Sequence, residues 1–436
     1  MPVPPVDQPL PRPDGLQVRP IRALTYRRHD PSHLARVSSP AYDLVTAAGR
    51  ERLAGEDPHN IVRLILPHVE ANEREDGGRA ARDRHPAETA AATLDRWLDE
   101  GVLVRDPVPA LWRYEMAPPG RAATTGWLGA VALPPRGSAA VLPHEDTYAP
   151  AVEGRRALLA ATRTDLEPIV LAHDTDAAVA ALTQAAAVGP PTLEVADPDG
   201  VRHRLWRVTD AAVLDALTAA FASTAAVIAD GHHRFAAATE HQRSGAAHAG
   251  AVLALVTPMG PGGLHLRAIH RVVPDLTMDT ALTSAAAGFT VRELTPPDGD
   301  TDAFLRSWPA GPGPATFLVT DGQRVAELSA PTGAVRDAVP AEAPEAWRGL
   351  DVVLAHHGLF GRLWGRSDDP ASVLVAHDVD EALRSARERA GVAVLLHSPS
   401  PADVAAVARA GARMPRKSTL FVPKPRTGLV LRPHDG

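Results

Sequence analysis

The segment of residues 210–243 constrains the fold more than any other part of the chain. Its apolar residues predict a helix over 211–222 that Asp210 can cap, a short buried strand over 226–229, and a second helix over 233–242. Only Asp230, Gly231 and His232 separate the strand from the second helix. A buried strand that passes directly into a helix is typical of an α/β core.

The rest of the chain continues this alternation. Apolar spacing predicts helices over 87–100 and 154–164, strands over 111–116, 127–133 and 169–171, and a hairpin over 317–327. We therefore predict a mixed α/β fold: a central mixed sheet with flanking helices, and a C-terminal α/β portion that folds back on the body. The predicted segments are an N-terminal α/β segment (1–105), a central catalytic domain with the strand-to-helix turn (106–290), and a C-terminal α/β domain with basic terminal strands (291–436).

Composition excludes several functions. The chain has no cysteine, which rules out disulfides, thiolate zinc sites and cysteine nucleophiles. A net charge of -7 argues against non-specific wrapping of nucleic acid. No apolar run approaches the roughly 20 residues of a membrane span, and Met1–Pro5 lacks signal-peptide features. We expect a soluble cytoplasmic protein with no nucleic-acid or membrane partner, and the sequence leaves its oligomeric state open.

The two lysines of this chain lie close together. Of 45 basic residues only Lys417 and Lys424 are lysines. They belong to a stretch, residues 409–432, that contains seven basic residues and no acid. With the hydroxyls of Ser418 and Thr419 between them, they indicate a site for a small phosphate-bearing ligand. A solvated basic edge strand is the alternative.

The strand-to-helix turn carries the strongest candidate site. Gly231 lets the backbone approach an anion closely, and the first turn of the following helix offers unpaired N–H groups. Arg234 adds a bidentate fork for phosphate, and Asp230 can order a magnesium shell or accept a proton. The adjacent His232 and His233 face different directions, so they cannot both bind one metal ion. The alternative is a capped helix start with surface histidines.

Weaker candidates lie elsewhere. His144 and Glu145 follow a predicted strand over 139–142 and could form a general base with its orienting partner, or simply a solvated acidic loop. The motifs at 39–43 and 270–273 could line a pocket or be a turn and a strand start. The pair His356 and His357 is placed in a helical stretch ending at Gly358, in the core or at a C-cap rather than in a catalytic site.

Seven motifs occur in order along the chain, at 39–43, 60–64, 142–145, 158–163, 229–234, 270–273 and 417–429. With them the chain resembles, over nearly its whole length, the bacterial family catalogued as domain of unknown function 1015. The family tends to have a Pro-Lys-Ala-Asp stretch before an arginine, whereas Ala151-Val152-Glu153-Gly154 precedes Arg155 here.

The residues around His233 are similar to the Gly-x-His-Arg phosphate loop of the superfamily that contains sulfiredoxin, partition-protein nucleotidases and free-serine kinases. Sulfiredoxin has its catalytic cysteine at the position of His232, so this chain cannot perform that chemistry. The free-serine kinases resemble it most, because they carry the Asp-Gly-His-His-Arg form.

This resemblance implies phosphoryl transfer from a nucleotide (ATP or ADP with Mg²⁺) to the hydroxyl of a small amino acid such as L-serine. The implied catalytic residues are Glu145, Asp230, His233 and Lys417. Those implied for phosphate or nucleotide are Gly231, His232, Arg234, Ser418, Thr419 and Lys424, and those for substrate are Tyr42, Asp43, His144, Arg155, Arg163, His270 and Arg271.

Two alternatives stay open. One is a non-catalytic nucleotide-binding or regulatory module, and the other is a metal-assisted hydrolase that uses His144 and Glu145. Under the kinase hypothesis we expect Glu145, Asp230, Arg234 and Lys417 to meet in one pocket.

Overall fold

The computed structural model describes residues 15–68, 85–187, 189–260, 262–296, 299–308, 317–367 and 369–435. The N-terminal signal analysis at Met1–Pro5 therefore lies outside the described residues. The chain divides into two compact units, the first formed by residues 1–143, 147–264 and 423–436, the second by 144–146 and 265–422. The division into three segments at 105 and 290 stays a prediction.

The first unit is a mixed α/β unit. Its strands are β1 Val18–Arg19, β2 Leu24–Tyr26, β3 Leu103–Arg105, β4 Leu111–Ala117, β5 Thr124–Ala132, β6 Val141–Leu142, β7 Thr164–Asp165, β8 Ile169–His173, β9 Leu193–Ala196, β10 Arg202–Val208, β11 Ala226–Asp230, β12 Ala251–Pro258 and β21 Arg432–Pro433. Its helices are α1 Pro31–Val37, α2 Ala47–Glu56, α3 Val62–Ile65, α4 Pro86–Asp99, α5 Ala149–Thr162, α6 Ala177–Ala185, α7 Ala211–Phe221 and α8 His232–Arg243, with a 3-10 turn at Tyr42–Leu44.

A mixed sheet forms the centre of this unit. Within the described residues its strand order is β6-β11-β8-β12-β5-β4-β10-β9, and β1 pairs with β5. The pairs β6/β11 and β8/β12 are parallel, and the other pairs are antiparallel. The predicted α/β class with a central mixed sheet and flanking helices is confirmed.

Apolar side chains from both the sheet and its helices build the core. Ile169, Ile228 and Val256 from three strands pack in one cluster with Leu217 and Phe221 of α7. Helix α5 packs against α8, the helix that follows the strand-to-helix turn. Because the apolar faces of α7 and the sheet are buried together, the turn after β11 is held on a rigid support.

The second unit is also mixed α/β. Its strands are β13 His265–Arg267, β14 His270–Val273, β15 Thr290–Leu294, β16 Phe317–Thr320, β17 Val325–Ser329, β18 Leu374–Ala376, β19 Val392–Leu395 and β20 Leu420–Val422. Its helices are α9 Met278–Ala285, α10 Thr301–Ser307, α11 Gly333–Arg336, α12 Glu345–Arg348, α13 Asp351–Val353, α14 Val379–Glu388 and α15 Pro401–Arg409, with a π-helical stretch at Leu354–Leu363.

An antiparallel sheet, with the order β15-β17-β16-β19-β14-β18 among the described residues, carries the core of the second unit. The predicted hairpin of 317–327 is confirmed as β16 and β17. The prediction that the helix around His356 ends at Gly358 is wrong, since helical structure continues to Leu363.

Most elements predicted from apolar spacing are confirmed in the first unit. Asp210 caps α7 by accepting a hydrogen bond from the Val213 N–H, and α8 begins at His232, one residue before the predicted start. Helix α5 begins at Ala149, five residues before the predicted start, with a proline in its first turn. No helix within the described part of the chain has the length and apolar character needed to cross a membrane.

Candidate functional site

The strand-to-helix turn requires a glycine. Strand β11 ends at Asp230, and Gly231 then adopts a φ of +92° before α8 begins. A Cβ atom at Gly231 would lie 2.8 Å from Cγ2 of Ile169. Both the left-handed backbone and the close approach of β8 therefore disfavour a larger residue here. The predicted approach of an anion to Gly231 stays a prediction.

Lys424 lies between two carboxylates of the first unit. Its Nζ is 2.7 Å from Asp230 Oδ1 and 2.8 Å from Asp43 Oδ2. Burial works to lower the pKa of Lys424, but Asp230 and Asp43 outweigh it and raise that pKa above its usual value. The sequence-predicted phosphate residue Lys424 is thus a charged ammonium held at the start of α8.

Asp230 is an ionised carboxylate. Its second oxygen, Oδ2, accepts a hydrogen bond from Nη2 of Arg234. Burial alone would raise the pKa of Asp230, yet the charges of Arg234 and Lys424 hold it below its usual value. A carboxylate with a lowered pKa and a cation on each oxygen is a weak proton acceptor, so Asp230 suits positioning better than general-base catalysis.

The guanidinium of Arg234 is largely occupied within the unit. Nη1 donates to the Pro168 carbonyl and Nη2 to Asp230. The side chain is only 10% exposed, and Nε is buried without an acceptor among the described residues. Arg234 and Arg155 both lie near the ring of Tyr42, with 5.6 Å and 4.3 Å from their Cζ atoms to the ring centroid.

Glu167 is a polar residue of this site that sequence reasoning missed. Its Oε1 accepts hydrogen bonds from the Tyr42 N–H at 3.0 Å and from the Thr427 hydroxyl at 3.1 Å. Burial raises the pKa of Glu167 above its usual value, although Arg234 and Arg155 oppose that rise. The available signal was an acid between the apolar Leu166 and a buried strand.

The two histidines of the turn differ in their surroundings. His232 is buried, whereas His233 is partly exposed. Nε2 of His233 accepts a hydrogen bond from the Tyr148 N–H at 3.1 Å. Because that nitrogen is an acceptor, the bond selects the neutral ring with its proton on Nδ1.

From Pro423 onward, the basic C-terminal stretch belongs to the first unit and is largely buried. Backbone bonds join Ser39 and Thr427 in both directions. Nε of Arg426 donates to the Ser38 hydroxyl at 2.6 Å, and Arg432 contacts Asp165 at 2.7 Å. The alternative of a solvated basic edge strand is wrong for these two arginines, because both are buried and paired.

A second group of candidates belongs to the second unit. The Thr419 hydroxyl donates to Glu145 Oε1 at 2.8 Å, and Nε2 of His144 lies 3.0 Å from the same hydroxyl oxygen. His144 is fully buried. Ser418 donates to the Pro415 carbonyl, and Lys417 is exposed with a φ of +50°. Thus His144, Glu145 and Thr419 are brought together, as a chain of hydrogen bonds.

Three predicted substrate residues have different environments. His270 and Arg271 lie in β14 and are both buried; Arg271 donates to Nε2 of His356 and to the Arg416 carbonyl. Arg163 is the exposed C-cap of α5. Their assignment to substrate stays a prediction.

The first unit therefore brings together seven of the seventeen predicted site residues. Tyr42, Asp43, Arg155, Asp230, Gly231, Arg234 and Lys424 are linked by the contacts above, whereas Glu145 and Lys417 belong to the second unit. The meeting of Glu145, Asp230, Arg234 and Lys417 in one pocket stays a prediction. No cluster of three His, Asp or Glu side chains suited to a metal ion occurs in residues that the structure describes.

The family of the chain follows from a sequence comparison. The model for the family described as protein of unknown function (DUF1015) matches residues 18–353, so the chain belongs to this family. This confirms the family resemblance. No curated protein matches the sequence.

Solved structures similar to this chain include a conserved hypothetical protein from Pyrococcus furiosus (13% identity, TM-score 0.30, covering 65% of this chain and 87% of that chain). Free serine kinase in complex with ADP has 13% identity and a TM-score of 0.30, covering 65% and 84%. SbnI with a C-terminal truncation from Staphylococcus aureus has 12% identity and a TM-score of 0.33, covering 69% and 84%. Likeness at this level does not identify an activity.

Proposed function

We propose that this member of the DUF1015 family is a phosphotransferase that moves a phosphoryl group from ATP or ADP to the hydroxyl of a small amino acid such as L-serine. Lys424 carries the proposal, because its ammonium lies 2.7 Å from Asp230 at the beginning of α8. A phosphate at this point would meet the largely buried ammonium of Lys424 and the positive end of the α8 helix dipole.

The charges of the cluster favour a nucleotide that arrives with a divalent cation. Lys424, Arg234 and Arg155 are balanced by Asp43, Asp230 and Glu167, so a bare polyphosphate would meet little net positive charge. Asp43, whose Oδ2 contacts Lys424, would supply an oxygen ligand of the kind that Mg²⁺ prefers, and Mg²⁺ usually needs only one or two protein carboxylates beside the phosphates. Bound there, Mg²⁺ would neutralise phosphate charge.

The residues around the strand-to-helix turn then have distinct roles in the reaction. The positive N-terminal end of α8 attracts the phosphate oxygens, and Gly231 allows their close approach. Lys424 neutralises charge that develops on the transferred group. Arg234 fixes the Asp230 carboxylate by a direct hydrogen bond. The acceptor oxygen forms the new bond to phosphorus as the nucleotide oxygen leaves, and the hydroxyl proton passes to a base.

Glu145 is our proposal for that base, because Asp230 has a lowered pKa and two cationic partners. Replacing Glu145 with glutamine tests this step: turnover should fall at least a hundredfold, while nucleotide affinity stays within twofold. Normal turnover in this variant would remove Glu145 from the mechanism. Because such a kinase uses cellular ATP or ADP, we also propose a cytoplasmic location.

The function itself is tested by replacing Arg234 with alanine. This change frees Asp230 from one of its two cations, so we expect turnover with ATP or ADP and serine to fall at least a hundredfold. Arg243→Ala, at the exposed other end of α8, is the matched control and should keep full turnover. Equal turnover in both variants would contradict the assignment as a phosphotransferase.

A non-catalytic nucleotide-binding module is the second candidate. The paired state of Asp230 favours it, since the lowered pKa of this carboxylate beside Lys424 makes it a weak base. Titration calorimetry with ATP, ADP and CTP, with and without serine, separates the two functions. A module of this kind binds nucleotide with an affinity that serine leaves unchanged, and it forms no phosphorylated product.

A further inference from the structure

A small pocket lies within the first unit, and Arg234, which contacts Asp230, is part of its lining. Its volume is about 50 Å³. The charged part of its lining comes from Arg155, Asp165, Glu167 and Arg234, and the apolar part from Leu158, Leu159, Leu166, Ala237 and Val252. Two guanidinium groups and two carboxylates around one small space is an unusual lining, because charged side chains are rarely buried without a purpose.

The charges of the pocket are only partly satisfied by the protein. Arg234 is nine-tenths buried, and its Nε–H has no acceptor among the described residues. Such a buried donor costs free energy unless a ligand or water supplies an acceptor. The negatively charged side of the pocket is Glu167. Its Oε1 accepts hydrogen bonds from Tyr42 and Thr427, and no described residue donates to its Oε2.

Asp165 also lines the pocket, but the protein neutralises it. Arg432 contacts Oδ2 of Asp165 at 2.7 Å, His434 contacts Oδ1 at 3.3 Å, and the Leu253 N–H donates to Oδ2. Glu167 is therefore the acid of this pocket that has an oxygen available for a cation.

The size of the pocket limits the ligand. A site needs roughly 10–15 Å³ of this volume for each water molecule, so there is room for about four waters, or a ligand of similar bulk. That space suits an amino acid with a very short side chain. The apolar wall formed by Leu158, Leu159, Ala237 and Val252 closes the space that a large side chain would need.

We propose that this pocket binds the zwitterion of a small α-amino acid, with its carboxylate on Arg155 and Arg234 and its ammonium on Glu167. The proposal rests on the proposed function, since it assigns the acceptor of that reaction to a defined site. Arg155 and Arg234 carry the positive charge that a carboxylate requires, and Glu167 lies near enough to both for their charges to act on its own ionisation. The hydroxyl of a serine bound this way is the group to be phosphorylated.

Titration calorimetry on the full chain tests the pocket with four probes. L-Serine carries both charges, 3-hydroxypropanoate lacks the ammonium, ethanolamine lacks the carboxylate, and L-phenylalanine has a large side chain. We expect serine to bind and the other three to bind at least tenfold more weakly. Equal binding of 3-hydroxypropanoate and serine would show a simple anion site and overturn the proposal, and so would equal binding of phenylalanine.

A variant of Glu167 gives the second test. Glu167→Gln keeps an oxygen that accepts from Tyr42 and Thr427 but removes the charge, so serine affinity should fall at least tenfold while 3-hydroxypropanoate affinity stays the same. Glu153→Gln, exposed on α5 with Arg156 as its partner, is the matched control and should bind serine normally. Unchanged serine affinity in Glu167→Gln overturns the proposal.

The experiments distinguish failure of the amino-acid pocket from failure of the kinase activity. If serine binds with the expected selectivity but no phosphorylated product forms, the pocket stands and the kinase activity does not. If phosphoserine forms while the KM for serine is the same in Glu167→Gln and in the unchanged protein, the activity stands and this pocket is not its acceptor site. The calorimetry with the four probes uses the unchanged protein, so its result stands even if a variant fails to fold.

Discussion

Nζ of Lys424 lies 2.7 Å from Oδ1 of Asp230, and this ion pair joins the last segment of the chain to the strand-to-helix turn. One of the two lysines of the protein is thereby placed where the sequence predicted an anion site. Asp230 in turn is fixed by Arg234, and Lys424 also contacts Asp43. The C-terminal segment is consequently part of the site.

Replacing Lys424 with methionine should abolish phosphoryl transfer and destabilise the protein. Two carboxylates would lose their shared cation, and breaking a buried ion pair from one side costs about 3 kcal/mol. We expect turnover to fall at least a hundredfold, measured with denaturation in urea on the same sample. Lys417→Met is the control for stability. Lys417 is exposed, so its loss should leave the free energy of unfolding unchanged. Full turnover in Lys424→Met would refute the role of Lys424.

Gly231→Ala should cost more stability than Gly245→Ala, although both glycines have a positive φ. The values are +92° and +79°, so each alanine pays for a left-handed backbone, about 1 kcal/mol. Only at Gly231 would the new Cβ also meet Ile169, whereas nothing lies within 4 Å of a Cβ at Gly245. We expect an additional loss of about 1–3 kcal/mol in the unfolding free energy of Gly231→Ala. Equal losses of unfolding free energy in the two variants would contradict this, because they would mean that β8 moves away from the new Cβ atom without an energetic penalty.

Acid should destabilise the protein through His270. Burial, with help from Arg271, lowers the pKa of His270 to about 4, and its Nδ1 accepts from the Leu396 N–H. Between this value and the ordinary pKa near 6.5, the unfolded chain binds the proton more readily, so stability falls as pH falls through that window. The full effect is about 3 kcal/mol.

Urea denaturation between pH 7 and pH 4 measures this contribution. His270→Asn keeps an acceptor but cannot titrate, so its stability should depend less on pH in this range. His377→Asn, an exposed histidine paired with Glu381, should keep the pH dependence of the unchanged protein. The same pH dependence in all three proteins would contradict the role of His270.

Arg426→Met should destabilise the chain without touching the proposed chemistry directly. The guanidinium of Arg426 donates to the Ser38 hydroxyl and to the carbonyls of Ala35 and Ser38. Their loss leaves buried acceptors unpaired, at about 3 kcal/mol in total. Arg416→Met, at an exposed position in the same stretch, should change stability by less than about 0.5 kcal/mol. Thermal denaturation of both variants measures the difference.

Local signals in the sequence predicted the elements that position the site. The cap at Asp210 and the apolar strand before Asp230 are both local, and each is found as expected. The early start of α5 was missed because Ala149 and Pro150 follow an acidic loop, although a proline in the first turn is a helix-start signal.

The long-range links were beyond reach of the sequence pattern. Nothing in the spacing shows that Lys424 contacts Asp43 and Asp230, because these residues are distant in the chain and meet only through the packing of the first unit. Glu167 was missed for the same reason: its partners Tyr42 and Thr427 come from opposite ends of the chain.

Phosphorus NMR of the purified protein with Mg²⁺, ATP or ADP, and a pool of amino acids tests the central claim most directly. We predict a new phosphomonoester signal that appears only when serine or another small hydroxyl amino acid is present, and that is lost in Arg234→Ala. A spectrum that stays unchanged while the nucleotide is bound would contradict phosphoryl transfer and leave a nucleotide-binding module.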